Sequence, residues 1–189
     1  MLGPRRRAAV VIAIFRTPPH GIVFVERAAH LRDHPGQIGL PGGGVHPEDS
    51  GLPATALREL HEEVGVEAAR VTIVDELPVI RQRIANNFDV TPFIAIVEPG
   101  ELRIDATETA GVFVVPLARV LEFAKHEDAI DFEGRRIWGL TARILHEFVE
   151  RWNAGGEARV RTHLSDHDDD GDGDGDGGDD DGGQSLSNV

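Results

Sequence analysis

A glycine-rich loop followed by an acidic helix is the feature that most constrains this fold. Residues 41–44 read Pro-Gly-Gly-Gly, and residues 58–65 read Arg-Glu-Leu-His-Glu-Glu-Val-Gly. At about 100° per residue on a helix, Glu59, Glu62 and Glu63 fall within one narrow sector. The apolar side chains gather in another sector, among them Ala56, Leu60 and Val64. Taken alone, a run of charged residues such as 58–63 usually marks a solvated helix face. Here the apolar side of the helix can enter a core, while the acidic side can bind cations.

The three glutamates repel one another unless a cation lies between them. Like charges four residues apart weaken a helix by about 0.2–0.5 kcal/mol, and Glu59 and Glu63 have this spacing. A hard divalent cation removes the conflict, because Mg²⁺ takes oxygen ligands and is held by a few carboxylates together with substrate phosphates. Arg58 precedes Glu62 by four residues and is expected to pair with it. The pattern therefore predicts a site for Mg²⁺ and a diphosphate.

The same stretch resembles the box of the Nudix hydrolases. In that box a glycine precedes Arg-Glu-apolar-X-Glu-Glu-X-Gly-apolar at a fixed spacing. One position departs here, because Ser50 stands where a glutamate is expected and Asp49 precedes it. Such a departure is typical either of a degenerate box or of a subfamily. The matching positions are Gly44, Arg58, Glu59, Leu60, Glu62, Glu63, Gly65 and Val66.

Residues 27–43 resemble a second motif, that of the coenzyme A diphosphatases within the Nudix superfamily. An arginine and a small residue are followed by Arg32, by a glycine and by an apolar-Pro-Gly-Gly run, with Leu40 where phenylalanine is usual. An aspartate in the position of Asp49 is common in that subfamily. Arginine forks match phosphate oxygens, although Arg27 and Arg32 could equally hold a carboxylate or a carbonyl. The resemblance implies six substrate-binding residues, namely Arg27, Arg32, Gln37, Gly42, Gly43 and Gly44.

The resemblance also implies a fold, a reaction and a cofactor. The expected fold is α/β, a Nudix-type α/β/α sandwich with a mixed β-sheet. The expected enzyme is a diphosphatase that uses Mg²⁺ or Mn²⁺ to cleave coenzyme A into 3′,5′-ADP and 4′-phosphopantetheine. The alternatives are another nucleoside diphosphate derivative, such as ADP-ribose, and a nucleotide-binding module without activity. The implied catalytic residues are Glu59, Glu62, Glu63 and Arg58, and the implied metal ligands are Glu59, Glu62, Glu63 and Glu108.

Composition divides the chain into two parts, residues 1–164 and residues 165–189. Ten aspartates lie between Asp166 and Asp181, and without them the chain carries 23 acidic and 19 basic residues. Dense like charge with little hydrophobicity predicts a disordered tail, in which the calcium-loop spacing from Asp168 is a chance match. The rest is one domain of ordinary size, and its near balance of charge does not indicate a nucleic-acid binder.

The remaining composition bears on chemistry and location. The chain has no cysteine, which excludes disulfides, thiol catalysis and cysteine metal sites. Residues 8–15 form an apolar run after three arginines, but no small-residue cleavage site follows, so we predict a buried first strand in a cytoplasmic protein. No apolar run reaches membrane-spanning length. The expected partners are coenzyme A and, in a homodimer, a second copy of the chain, with neither nucleic acid nor membrane.

Hydrophobic periodicity gives a coarse map of the elements. Asp49 or Ser50 is expected to cap the acidic helix, and Gly65 to end it. Phe93, Phe148 and Trp152 are assigned to the core. Strands are predicted at residues 8–15, 22–27, 38–40, 71–77, 79–84, 89–97 and 102–104, a hairpin at residues 130–138, and further helices at residues 117–125 and 140–152.

Overall fold

A computed structural model describes residues 5–30, 35–81, 88–104, 109–123 and 128–165. Within these ranges, eight strands form one mixed sheet, two form a separate hairpin, and four α-helices surround them. The sheet strands are β1 (Arg6–Phe15), β2 (Gly21–Arg27), β3 (Ile38–Gly39), β4 (Gly42–Gly44), β5 (Val71–Glu76), β6 (Ile80–Arg81), β7 (Phe88–Val97) and β8 (Thr109–Pro116). The hairpin is β9 (Ala129–Phe132) and β10 (Arg135–Trp138), and the helices are α1 (Leu52–Val64), α2 (Leu117–Phe123), α3 (Leu140–Arg151) and α4 (Glu157–Ser165).

Strand β1 is the centre of the sheet. It runs parallel to β7 along its whole length, from the pair Arg6↔Phe88 to the pair Phe15↔Val97. On its other side it pairs antiparallel with β2 and with the glycine strand β4. The principal strand order is β3-β2-β1-β7-β5. The apolar run near the start of the chain is therefore a central strand, and the predicted mixed sheet is confirmed.

The side chains of β1 alternate between two hydrophobic cores. Val11 and its neighbours at odd positions pack with Leu60 of α1 on one face. Ile12 and its neighbours at even positions pack with Phe148 of α3 on the other face. All four side chains are fully buried, and burial of each contributes about 1.5–3 kcal/mol. The sheet thus lies between α1 and α3, which confirms the predicted sandwich.

Helix α1 ends as the sequence predicts but begins differently. Gly65 has φ 73° and donates its N–H to the His61 carbonyl, so it stops the helix in a left-handed turn. The residue before the first helical turn is Gly51, and no side chain caps the free N–H groups there. The predicted capping role of Asp49 or Ser50 is therefore wrong. The carboxylate of Asp49 is occupied by a longer-range contact described below.

Helices α3 and α4 cover the second face of the sheet. The core assignments of Phe93, Phe148 and Trp152 are confirmed, because each is at most 7% exposed. A π-helical segment, Trp152–Gly156, joins the two helices. Arg151 and Arg159 both donate to the carboxylate of Asp75 on β5, at 2.8 and 3.1 Å. This cluster anchors the two helices to an edge strand.

Some sequence predictions fail or fall outside the described ranges. Residues 102–104 are not a strand, because the Arg103 N–H bonds to the carbonyl of Val64, the last residue of α1. Arg32, Glu108, the second half of the predicted strand at residues 79–84 and the tail after residue 165 lie outside the described residues. No helix within the described ranges is both long and apolar enough to cross a membrane.

Candidate active site

The three glutamates of the box occupy one turn of α1 but differ in environment. Glu63 is buried, with 6% of its surface exposed. The side chain of Glu59 is 13% exposed and that of Glu62 is 51% exposed. The solvent exposure of the three carboxylates therefore increases from Glu63 through Glu59 to Glu62.

Arg58 connects two of these glutamates to the loop before the helix. One terminal nitrogen of its guanidinium lies 2.9 Å from Glu59 Oε1 and 2.9 Å from Glu62 Oε2. The other terminal nitrogen donates to the Gly44 carbonyl at 2.9 Å. The predicted pair between Arg58 and Glu62 is confirmed. One guanidinium thus fixes two carboxylates relative to the glycine loop.

The second side of the Arg58 fork binds Asp49. Arg58 Nε lies 3.0 Å from Asp49 Oδ1, and its terminal nitrogen lies 3.3 Å from Oδ2. Asp49 also accepts from the Thr55 hydroxyl at 2.7 Å and from the His46 N–H at 2.8 Å. These bonds, that of Arg58 foremost, hold the pKa of Asp49 well below its ordinary value. Asp49 thereby supplies a carboxylate where the box expects one at Ser50.

The glycine loop lies directly against the glutamates. The Gly42 N–H donates to Glu63 Oε2 at 3.1 Å. A Cβ on Gly43 would meet Glu59 Oε1 and would lie 2.5 Å from its Cδ. Only glycine at this position leaves room for the Glu59 carboxylate. The loop backbone and the acidic helix thus form one surface.

The donor set fits a hard divalent cation. Burial raises the pKa of Glu59, and the neighbouring Arg58 only partly offsets it, so a cation would relieve an unfavourable charge. Among the described residues, no three carboxylate or imidazole side chains converge into a metal cluster. Two carboxylates beside a glycine backbone are nevertheless sufficient for Mg²⁺, which takes its remaining ligands from water and substrate phosphates.

An open cleft of about 1070 Å³ adjoins this surface. Its wall contains the glycine loop, Glu63 and two of the predicted substrate-binding side chains, Arg27 and Gln37. The Arg27 N–H donates to the Gln37 carbonyl at 3.0 Å, so a backbone hydrogen bond holds the two residues next to each other. Glu59, Glu62 and Arg58 do not line the cleft. Glu59 and Arg58 instead contact the glycine loop at Gly43 and Gly44.

The structure adds residues that the sequence reasoning did not assign to the site. Asp49 was assigned a capping role, although its place beside Ser50 in the box was the available signal. Trp138 and Arg143 also line the cleft. They lie about 100 residues after the loop, and no motif marks them. Predicted residues Arg32 and Glu108 are outside the described ranges, so their roles stay predictions.

Comparison with known proteins identifies the family. The NUDIX domain model matches residues 4–133. A Nudix hydrolase called NudL, uncharacterized, from an Enterobacter species is 36% identical over 161 residues, which cover 77% of this chain and 82% of the relative. The chain belongs to the Nudix family. A protein of the same description from Salmonella newport is 35% identical over 160 residues, with the same coverage of each chain.

Solved structures agree on the fold of this Nudix hydrolase. The NUDIX domain of Shewanella oneidensis NrtR, complexed with ADP ribose, superposes with a TM-score of 0.58 at 18% identity and covers 79% of this chain and 90% of that one. A Caenorhabditis elegans Ap4A hydrolase gives 0.55 at 17% identity, over 79% and 98%. These structures show that the chain has the Nudix fold. Its membership of the family makes it a Nudix diphosphatase, an enzyme that acts on nucleoside diphosphate derivatives.

Proposed function

We propose that this Nudix enzyme hydrolyses the diphosphate bond of coenzyme A to 3′,5′-ADP and 4′-phosphopantetheine. The observation that carries the proposal is the cleft, which joins Arg27 and Gln37 of the second motif to Glu63 and the glycine loop. Arg27, Gln37, Gly42 and Gly43 lie in the motif through which the chain resembles the coenzyme A diphosphatases, and Glu63 lies in the Nudix box. The cleft volume of about 1070 Å³ lies at the upper end for ligand pockets and suits a large nucleotide.

The cofactor in the proposal is Mg²⁺ or Mn²⁺. When bound, such an ion neutralises the diphosphate and lowers the pKa of a bound water. Glu59, Glu62 and Glu63 are the residues proposed to hold it, since Glu59 and Glu63 lie against the glycine backbone and Arg58 holds Glu62 near Glu59. Glu108 is proposed as a further ligand on the resemblance alone.

Each residue of the site has a distinct proposed role. Glu63 is the one box glutamate that lines the cleft, so it can orient or deprotonate a water beside the diphosphate. Arg58 positions Glu59 and Glu62 through its ion pairs and does not itself line the cleft. Arg27 and Arg32 bind phosphate groups through their guanidinium forks, and Gln37 lies beside Arg27. Glycines 42–44 let the phosphates approach the backbone.

The departure at Ser50 does not favour an inactive module. In an inactive box we would expect the arginine to have lost its acidic partner in the loop. Instead, Asp49 makes two bonds to Arg58 at 3.0 and 3.3 Å. We therefore propose that the enzyme is fully active and that Asp49 takes the structural role of the missing glutamate.

A substrate panel tests this proposal. Coenzyme A, 3′-dephospho-coenzyme A, ADP-ribose and a diadenosine polyphosphate are compared at equal concentration with Mg²⁺ and with Mn²⁺, and with a chelator as the control. We expect the highest kcat/KM on coenzyme A and at least a hundredfold loss after chelation. A preference for ADP-ribose would discard coenzyme A as the substrate but keep the diphosphatase. Turnover that survives chelation would contradict the metal assignment.

Location and assembly complete the proposal. A cytoplasmic enzyme is proposed because the apolar run at residues 8–15 is accounted for as the central strand of the fold.

A homodimer is proposed as the assembly. Light scattering on the purified chain tests it, and a mass of one chain at micromolar concentration would contradict it.

A further inference from the structure

Two side chains of the cleft wall have no role in the proposed hydrolysis. Trp138 ends strand β10, and Arg143 lies in the first turn of α3. Both line the cleft together with Arg27, Gln37 and Glu63. Neither belongs to the box or to the second motif. They therefore extend the cleft beyond the residues that contact the diphosphate.

Trp138 is an exposed aromatic ring on a rigid support. It is 51% exposed, the highest value among the large hydrophobic residues that the structure describes as exposed. Gly139 follows with φ 65°, which allows the sharp turn from β10 into α3. The buried Thr141 hydroxyl then donates to the Ile38 carbonyl at 3.2 Å, which ties α3 to strand β3 beside Gln37. The backbone of Trp138 is thus held in place before any ligand binds.

No aromatic ring or cationic group among the described residues stacks on this ring, and half of the residue is exposed. The aromatic and cation–π contacts of the described residues include Trp152 but not Trp138. Solvent exposure of a tryptophan is unfavourable, because its large apolar surface remains in water. An uncovered aromatic face in a nucleotide-sized cleft suits a planar ligand group, which it can stack against.

Arg143 offers a positive charge on the same wall. Its guanidinium takes part in no hydrogen bond or ion pair with the rest of the described chain. Glu147 lies one helical turn further along and also lines the cleft, but no ion pair joins it to Arg143. By contrast, Arg58 and Arg151 are each bound to carboxylates. An arginine with open donors in a cleft suits a phosphate group.

We propose that Trp138 and Arg143 form a recognition subsite for a purine nucleoside that carries a phosphomonoester. The tryptophan stacks on the base, and the arginine binds the monoester. This inference rests on the proposed function, since Glu63 and the glycine loop then take the diphosphate of the same ligand. Arg143 would thereby distinguish coenzyme A, which has a 3′-phosphate, from its dephospho form.

Tryptophan fluorescence tests the stacking independently of turnover. The chain has two tryptophans, and Trp152 is buried at 7% exposure, so it serves as an internal reference. Titration of the wild-type chain with adenosine 3′,5′-bisphosphate should quench the emission. The Trp138→Phe variant, checked for an unchanged Tm, should lose most of the quenching. Equal quenching in both chains would overturn the role of Trp138.

Variants of two arginines test the phosphate contact. Arg143→Ala should weaken binding of adenosine 3′,5′-bisphosphate at least tenfold and should leave binding of 5′-AMP within twofold. Arg136→Ala is the matched control, since it removes the same charge from an exposed residue of the neighbouring hairpin that does not line the cleft. If both variants weakened bisphosphate binding equally, the loss would be explained by the removal of one positive charge alone, and the subsite would be overturned.

Kinetics separate this proposal from the proposed function. Arg143→Ala should raise the KM for coenzyme A at least tenfold with kcat unchanged, and should leave the KM for dephospho-coenzyme A as it is. A wild-type enzyme that binds the bisphosphate through Arg143 but cleaves only ADP-ribose would support the subsite and refute coenzyme A as the substrate. An equal rise in KM for both substrates would overturn the subsite and leave the proposed function standing.

Discussion

Replacement of Gly43 by alanine gives a sharp test of the glycine loop. The added Cβ would lie 2.5 Å from Glu59 Cδ and 2.7 Å from Oε2, whereas ordinary contact begins at 3.4 Å. Since the clash is with the end of a flexible side chain, the fold can accommodate it, but the Glu59 carboxylate must move by about 1 Å. A displacement of this size at a catalytic group costs about a hundredfold in rate, or about 2.7 kcal/mol in activation free energy.

The assay is steady-state hydrolysis under saturating Mg²⁺, with thermal unfolding as the check on folding. Gly43→Ala should lower kcat about a hundredfold and change Tm by less than about 4 °C, which corresponds to less than roughly 1 kcal/mol. Gly111→Ala is the matched control, because a Cβ there meets nothing within 4 Å and Gly111 lies on β8 outside the cleft, and it should keep kcat within threefold. A Gly43→Ala enzyme as active as the Gly111→Ala enzyme would refute the assigned position of Glu59.

Two further predictions concern carboxylates that hold arginines. Asp49→Asn should lower kcat about 10–100-fold, as loss of a residue that orients the site does, and adding Ser50→Glu should restore part of the rate. Because Arg58 holds the pKa of Asp49 below its ordinary value, the stabilisation is present above about pH 4 and is lost at lower pH. The Tm difference between wild type and Asp49→Asn should therefore shrink below about pH 4; a constant difference would contradict this pairing. Asp75→Asn should lower the free energy of unfolding in urea by about 1–2 kcal/mol, since it weakens two partly exposed ion pairs. It should leave kcat unchanged because Asp75 is outside the cleft, and a loss of activity with no loss of stability would contradict that role.

Periodicity and local signals were enough to predict most of the fold. The spacing of Leu60 and Val64 defined the buried face of α1, and Gly65 defined its end. These features depend on neighbours within a few residues, so they are visible in sequence. The family resemblance implied a mixed sheet, but the parallel pairing of β1 with β7 was not predicted, because it joins residues about 80 positions apart.

Errors arose where a distant partner outcompeted a local one. Asp49 is well placed in sequence to cap α1, but the Arg58 guanidinium offers it two charge-assisted bonds, which are stronger than a single cap. The segment at residues 102–104 has a strand-like pattern, yet its backbone is used to bind the end of α1 through Val64. Trp138 resembled any other hairpin residue in sequence, and only the fold places it in the same cleft as Gln37.

The central claim is that the acidic helix and glycine loop cleave the diphosphate of coenzyme A with water as the nucleophile. The most direct test is hydrolysis of coenzyme A with Mg²⁺ in ¹⁸O-labelled water, with the products identified by mass spectrometry. The account predicts 3′,5′-ADP and 4′-phosphopantetheine in equal amounts, with one ¹⁸O in one of the two new phosphate groups. Release of inorganic phosphate and dephospho-coenzyme A, or recovery of intact coenzyme A, would contradict it.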